Sequence, residues 1–170
     1  MNDVLLQSDR VLLRPWRVED ARWYVEARDE EVFRWTTEDR ALTVNATVEA
    51  IQRVNSDACA YCFAIVNPLA DEKVGNIALE TVDEQAGLGE LHYWLSPVGR
   101  GKGIATASVR LLLDWAFETR GLMCVVIKTM SGNAQSRRVA ERAGFRPVQA
   151  PVTASINTAW EWFERRRGEA

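Results

Sequence analysis

The chain is poor in the residues that staple or metallate a small protein. Its 170 residues include three cysteines and one histidine. Cys59 and Cys62 have Cys-x-x-Cys spacing, but the remaining N or S donors, Cys124 and His92, form no second pair, so no metal site is expected. Three cysteines cannot all pair with one another, and two of them lie in strand-like apolar runs, so they read as reduced core thiols, which fits a cytoplasmic protein. Long apolar runs are also lacking. The longest, Ala58 to Val66, is far short of the ~20 residues that span a bilayer, so no membrane span is expected. The N-terminus carries Asp3 and Asp9 and no basic-then-apolar segment, so it does not read as a secretory signal. No single sign of charge dominates: 21 Lys plus Arg stand against 24 Asp plus Glu, a net charge of -3. This disfavours wholesale nucleic-acid binding, which needs a concentrated positive surface.

What is present is an ordinary globular composition, 47% hydrophobic and 26% charged, in a chain long enough to bury its own core. With no repeat or low-complexity linker, residues 1–170 read as one domain. The near-neutral total hides two unlike halves. Residues 1–90 hold nine basic and 18 acidic side chains, residues 91–170 hold 12 and six.

Patterning predicts a mixed α/β chain, with antiparallel strands first and a strand-helix-strand unit afterwards. Strands are expected at 4–6 and 10–14, with Pro15 as terminator, then at 60–66, 74–82 and 88–95. A fully apolar strand at 122–129 should lie inside the sheet, parallel to its predecessor. Strands at 145–149 and 159–165 complete the set. Helices are expected at 18–28, 47–54 (capped by Asn45 or Thr47), 104–119 and 133–143, with a short element at 31–35.

The most informative stretch is the strand Leu91-His92-Tyr93-Trp94-Leu95, followed by the turn Ser96 to Gly103 and the helix from Ile104. The first amides of a helix lack internal partners, the dipole adds positive potential, and glycines allow close approach, so this is either a phosphate cradle or simply a tight turn. A Walker loop is excluded, because Lys102 is followed by Gly103 rather than Ser or Thr.

Arg100-Gly101-Lys102-Gly103-Ile104-Ala105 resembles the Arg/Gln-x-x-Gly-x-Gly/Ala signature of GCN5-related N-acetyltransferases (GNAT). The Tyr-Trp-Leu strand, Asn133-x-x-Ser136, Gly144-Phe145 and the opening Leu12-Leu13-Arg14-Pro15-Trp16 are similar to the branch containing ribosomal-protein N-terminal acetyltransferases. The resemblance implies a GNAT-like α/β domain: a mostly antiparallel twisted sheet, a strand-helix-strand acetyl-CoA unit and flanking helices. It implies an acyl-CoA-dependent N-acetyltransferase acting on a primary amine, either a protein N-terminus or a small molecule, by direct attack in a ternary complex. Acetyl-CoA would be held by Trp94, Leu95, Arg100, Gly101, Lys102, Gly103, Ile104, Ala105, Thr106 and Asn133.

In many members a tyrosine four positions before the Gly-Phe glycine protonates the departing thiolate. That position is Ala140 here, so the resemblance hands the role to Ser136. At 100° per residue, Asn133, Ser136, Val139, Ala140 and Ala143 share one arc of their helix, and Asn133 is equally a cap. The base candidates are Glu90 and His92, on one strand face with Trp94, and then Glu80. Trp35 lies in the segment that the resemblance assigns to the acceptor. Trp160 and Trp162 read as core, as acceptor wall or as a homodimer contact. The acidic half, with Glu30, Glu31 and Glu38, suits a cationic amine. Two other functions stay open: an inactive CoA-binding or protein-interaction module of the same fold, and RNA or ribosome binding through the C-terminal arginines.

Overall fold

The computed structural model describes residues 4–57, 60–149 and 159–169. Alternating apolar residues place the sheet. Val11, Leu13, Phe63, Ile65, Ile77, Leu79, Leu91, Val125 and Ile127 are almost completely buried in one core. They lie on β2 (Leu12–Pro15) and its lead-in, β3 (Ala60–Asn67), β4 (Glu72–Asp83), β5 (Leu88–Leu95) and β6 (Cys124–Met130). With β1 (Leu6–Gln7), β7 (Arg146–Val148) and β8 (Trp160–Arg166) they form an eight-stranded sheet in the order β1-β2-β3-β4-β5-β6-β8-β7. All neighbours are antiparallel except β5 and β6.

Among the described residues, five helices flank the sheet: α1 (Ala21–Glu26), α2 (Glu30–Trp35), α3 (Val44–Ser56), α4 (Ile104–Glu118) and α5 (Ala134–Arg142). Val109, Leu112, Leu113 and Ala116 give α4 a stripe at helical spacing that sinks into the core. Truncating Leu112 there would cost about 2–5 kcal/mol. A second cluster on Trp16, Ala21, Ile51, Ala64 and Val66 seats α1 and α3. No helix among the described residues is long and apolar enough to cross a membrane.

One irregularity creates the site. β5 and β6 pair only through Leu88, Gly89 and Glu90 with Cys124, Val125 and Val126. Beyond that point β5 follows β4 as far as Leu95, while β6 follows β8 as far as Met130. The far end of β5 is fastened to the β4 side, because the Ser96 amide and hydroxyl both donate to the Val74 carbonyl, at 2.9 and 3.1 Å. The sheet therefore splits, and the cleft opens in the split. Where the strands still touch, a Cβ on Gly89 would stand 2.7 Å from Leu122 Cδ1 and push that leucine aside.

Several boundaries differ from the sequence reading. The first expected helix is a 3-10 turn over Val18–Asp20 running into α1, and Arg28 lies beyond it as a buried residue. The expected helix at 47–54 starts earlier, at Val44. Thr43 accepts the Ala46 amide as its cap, which displaces Asn45 and Thr47 from that role. Pro15 is the last residue of β2 rather than its terminator, since position 15 still pairs with Phe63. The apolar strand starts at Cys124 instead of Leu122. Cys59 lies outside the described residues. Cys62 donates to Asn76 Oδ1 at 3.1 Å, and burial pushes its thiol up to about 12, leaving it un-ionised near neutral pH.

Candidate active site

The anion loop forms at the mouth of the cleft. Gly101 and Gly103 adopt φ values of 73° and 75°, left-handed conformations open to glycine. They turn the chain so that α4 begins with its amides uncapped. No side chain caps the helix, and the first helical bond is that of Ala107 N–H to the Gly103 carbonyl, 3.1 Å. The amides of Ile104, Ala105 and Thr106 thus stand at the positive end of a 15-residue helix. Gly101, Gly103, Ile104, Ala105 and Thr106 line the cleft, which encloses about 1070 Å³. Lys102 is exposed and lies outside that lining.

Arg100 also lines the cleft, but its guanidinium is engaged elsewhere. It makes a bidentate pair with Asp29 at 2.7 and 2.8 Å, and its Nε donates to the Leu95 carbonyl at 3.1 Å. Asp29 is the N-cap of α2, accepting the Val32 amide. With Arg100 as the largest influence, the Asp29 carboxyl is held down to about 2. The phosphate loop is thereby tied to α2, the helix that carries Glu31, Val32 and Trp35 into the cleft wall. Trp35 Nε1 donates to Glu31 at 2.9 Å.

Glu38 forms a hub that the sequence reading saw only as one of several acids. It accepts from Tyr24 Oη (2.8 Å), Arg28 Nη1 (3.0 Å) and Trp94 Nε1 (3.1 Å). Trp94 is buried, stacked on Trp23 with centroids 6.2 Å apart and set edge-on to Tyr24. Glu30, by contrast, is exposed, pairs with Arg40 and is absent from the cleft lining, so it leaves the acceptor-side acids named above.

Strand register brings the candidate bases together. Glu80 is opposite Glu90 and Ala78 is opposite His92, while Glu90 is level with Val126, two residues before Lys128. His92 Nε2 lies 3.6 Å from Glu80 and its Nδ1 lies 3.6 Å from Glu90. Lys128 Nζ binds Glu90 at 2.7 Å and sits over the Trp162 ring. Burial works against the His92 imidazolium, but Glu90 and Glu80 outweigh it, and the pKa lies above its ordinary value. Burial would raise the Glu90 pKa, yet His92 and Lys128 outweigh it and pull that carboxyl below its usual range. The histidine is therefore the stronger base of the pair.

On the opposite face of β5, Tyr93 Oη lies 3.1 Å from Ser136 Oγ. Ser136 sits in the first turn of α5, its amide bound by the N-cap Asn133 Oδ1 at 3.0 Å. Ala140 is fully buried, while Arg137, Arg138, Glu141 and Arg142 are exposed, as the helical arc requires. The expected catalytic, cofactor and acceptor residues line one cleft, with Lys102 and Glu30 as the exceptions. Asp29, Glu38, Tyr93 and Lys128 were missed as partners. The parity of Tyr93, opposite to His92, was the one signal available for it.

The split α/β sheet, the uncapped helix at the cleft mouth and the flanked histidine inside put an anion-binding end and a base candidate into one cleft. The family described as Acetyltransferase (GNAT) domain matches residues 10–146, and the chain is a member of that family. It is 30% identical over 168 residues to "Probable N-acetyltransferase YjcK" of Bacillus subtilis (strain 168), covering 92% of each chain. Among solved structures it resembles the ribosomal L7/L12 alpha-N-protein acetyltransferase RimL in complex with coenzyme A. That match has TM-score 0.81 and 17% identity over 96% of this chain and 98% of the other. The spermidine N-acetyltransferase of Vibrio cholerae in complex with CoA and spermine matches with TM-score 0.80 and 16% identity, over 94% and 96%. The fold and the enzyme class, an acyl-CoA-dependent acetyltransferase, agree with the sequence reading.

Proposed function

We propose that the chain acetylates a primary amine from acetyl-CoA by direct attack, with His92 as general base. The observation that carries this reading is the cleft itself. Uncapped α4 amides stand at its mouth, and beyond the split His92 stands between two carboxylates. When bound, acetyl-CoA would supply a thioester carbon and phosphates.

The residues present fit that ligand. The Ile104, Ala105 and Thr106 amides suit the pyrophosphate, and Arg138 and Arg142 on the cleft wall suit its anionic groups. From Leu91 on, β5 has no β6 partner, which leaves that edge available to an extended amide-bearing arm. Arg100 serves as the tie to α2 rather than as a phosphate ligand. On the acceptor side, Glu31, Trp35 and Glu80 form an acidic, aromatic wall that suits a cationic amine.

An amine attacks only when neutral, so His92 takes its proton as nitrogen bonds to the thioester carbon. Ser136 is placed for the sulfur side. Acetyl-CoA consumption with a panel of amines, including peptide N-termini and polyamines, tests the reading. His92→Gln should lower kcat about 100-fold with CoA binding retained. CoA binding with no transfer to any amine would favour the inactive module, as the missing tyrosine at Ala140 would suggest.

A further inference from the structure

Register gives Tyr93 a place that packing alone does not account for. The last paired residues of β5 and β6 are Glu90 and Val126. Three positions further along each of the parted strands come Tyr93 and Thr129. Both line the cleft, and so does Ser136. The Thr129 hydroxyl is buried and has no hydrogen-bond partner among the described residues, so a polar group of a ligand has a place to pair there.

The Tyr93 and Ser136 hydroxyls share one hydrogen bond of 3.1 Å. Each hydroxyl has a single hydrogen. If the phenol donates to Ser136 Oγ, the serine hydrogen is free for the cleft. If the serine donates to the phenol, it has nothing left to give. Two features favour the first arrangement. A phenol O–H is more acidic than an aliphatic hydroxyl and is the better donor of the two, and Ser136 lies in the first turn of α5, where the helix dipole favours negative charge next to its hydroxyl.

We propose that Tyr93 is a positioning residue which, by donating to Ser136 Oγ, aims the serine O–H at the sulfur of CoA and so stabilises the thiolate. The inference rests on the acetyl-transfer reading above. As nitrogen bonds to the carbonyl carbon and the C–S bond breaks, the electron pair of that bond goes to sulfur. Ser136 donates a hydrogen bond to it, and no proton leaves Tyr93. The amine's proton goes to His92, and the thiolate takes its proton from solvent. The phenol thus occupies, from a strand, the neighbourhood that Ala140 cannot serve from α5.

The test is the thiol pKa of bound CoA, read from ultraviolet thiolate absorbance as pH is raised, together with kcat and KM for acetyl-CoA. Tyr93→Phe keeps the ring. It should raise the bound thiol pKa and lower kcat about tenfold with KM for acetyl-CoA unchanged. Ser136→Ala should do the same, and the double variant should cost little more than either single one. Incorporating 3-fluorotyrosine, a more acidic phenol of nearly the same shape, should lower the bound thiol pKa and covers the case in which Tyr93→Phe fails to fold. An unchanged thiol pKa in both position-93 variants would overturn the proposal while leaving acetyl transfer intact. Failure of the unmodified chain to bind CoA would instead overturn the reading on which the proposal rests.

Discussion

At the scale of the residue, two candidate bases near each other are separated by their partners. Glu90 is paired with Lys128, and its carboxyl is pulled below its ordinary range. His92 is flanked by carboxylates on both ring nitrogens, and its pKa is raised. A base works when deprotonated, so kcat/KM should rise with pH through a limb above the ordinary histidine value of ~6.5. Glu80→Gln removes one of the two carboxylates and leaves the Glu90–Lys128 pair in place. The imidazolium is then less favoured, and the limb should move to lower pH, a modest shift because both side chains meet solvent. A pH-rate profile of the variant checks this. A limb that stays put, or that persists in His92→Gln, assigns the base elsewhere.

At the scale of the element, the informative object is the tie between the phosphate loop and α2. Arg100 and Asp29 are 71 positions apart, and Asp29 has two duties, capping α2 and pairing with Arg100. Asp29→Asn separates them, since asparagine caps as well as aspartate but carries no charge. It should cost about 1 kcal/mol in urea unfolding and raise the acceptor KM more than the CoA Kd. A loss of CoA affinity with an unchanged acceptor KM would place Arg100 on the phosphates after all. In the unmodified chain the Asp29 pKa is depressed to about 2. The pair's contribution is therefore complete above the ordinary carboxylate value of ~3.9 and is lost as pH falls through about 2. The same object marks the boundary of what the sequence could reveal. Glycines before a helix and strand parity are local rules, so the loop and the shared face of Glu90, His92 and Trp94 were legible, whereas α2 showed only as a short element at 31–35 and its Asp29 cap did not. The Glu38 hub, the Tyr93–Ser136 pair and the Arg100–Asp29 tie join residues 10 to 71 positions apart, and no local rule ranks such pairings. Even the splitting of the sheet is a tertiary event, in which β5 stays with β4 as far as Leu95 and β6 with β8 as far as Met130.

At the scale of the molecule, the charge asymmetry of the chain becomes an asymmetry of the cleft. The acidic half contributes Glu31, Glu38, Glu80 and Glu90 to its wall, and the basic half contributes Arg100, Lys128, Arg138 and Arg142. These cations are not equivalent. Arg100 and Lys128 are paired with Asp29 and Glu90, whereas Arg138 and Arg142 stand exposed on the outer arc of α5. An exposed arginine acts on an anion through screened Coulomb attraction, which fades as the Debye length shrinks from ~10 Å at 0.1 M salt to ~3 Å at 1 M. Arg138→Ala and Arg142→Ala should each weaken CoA binding about threefold at low salt, and the double variant should have a visibly flatter dependence of Kd on ionic strength. The contribution of the α4 amides does not depend on these side chains, so the affinities of the original and variant chains should converge at high salt without vanishing. Titrations at several ionic strengths check both points. A difference that persists undiminished at 1 M salt would mean that the two arginines bind through fixed hydrogen bonds rather than through a screened field.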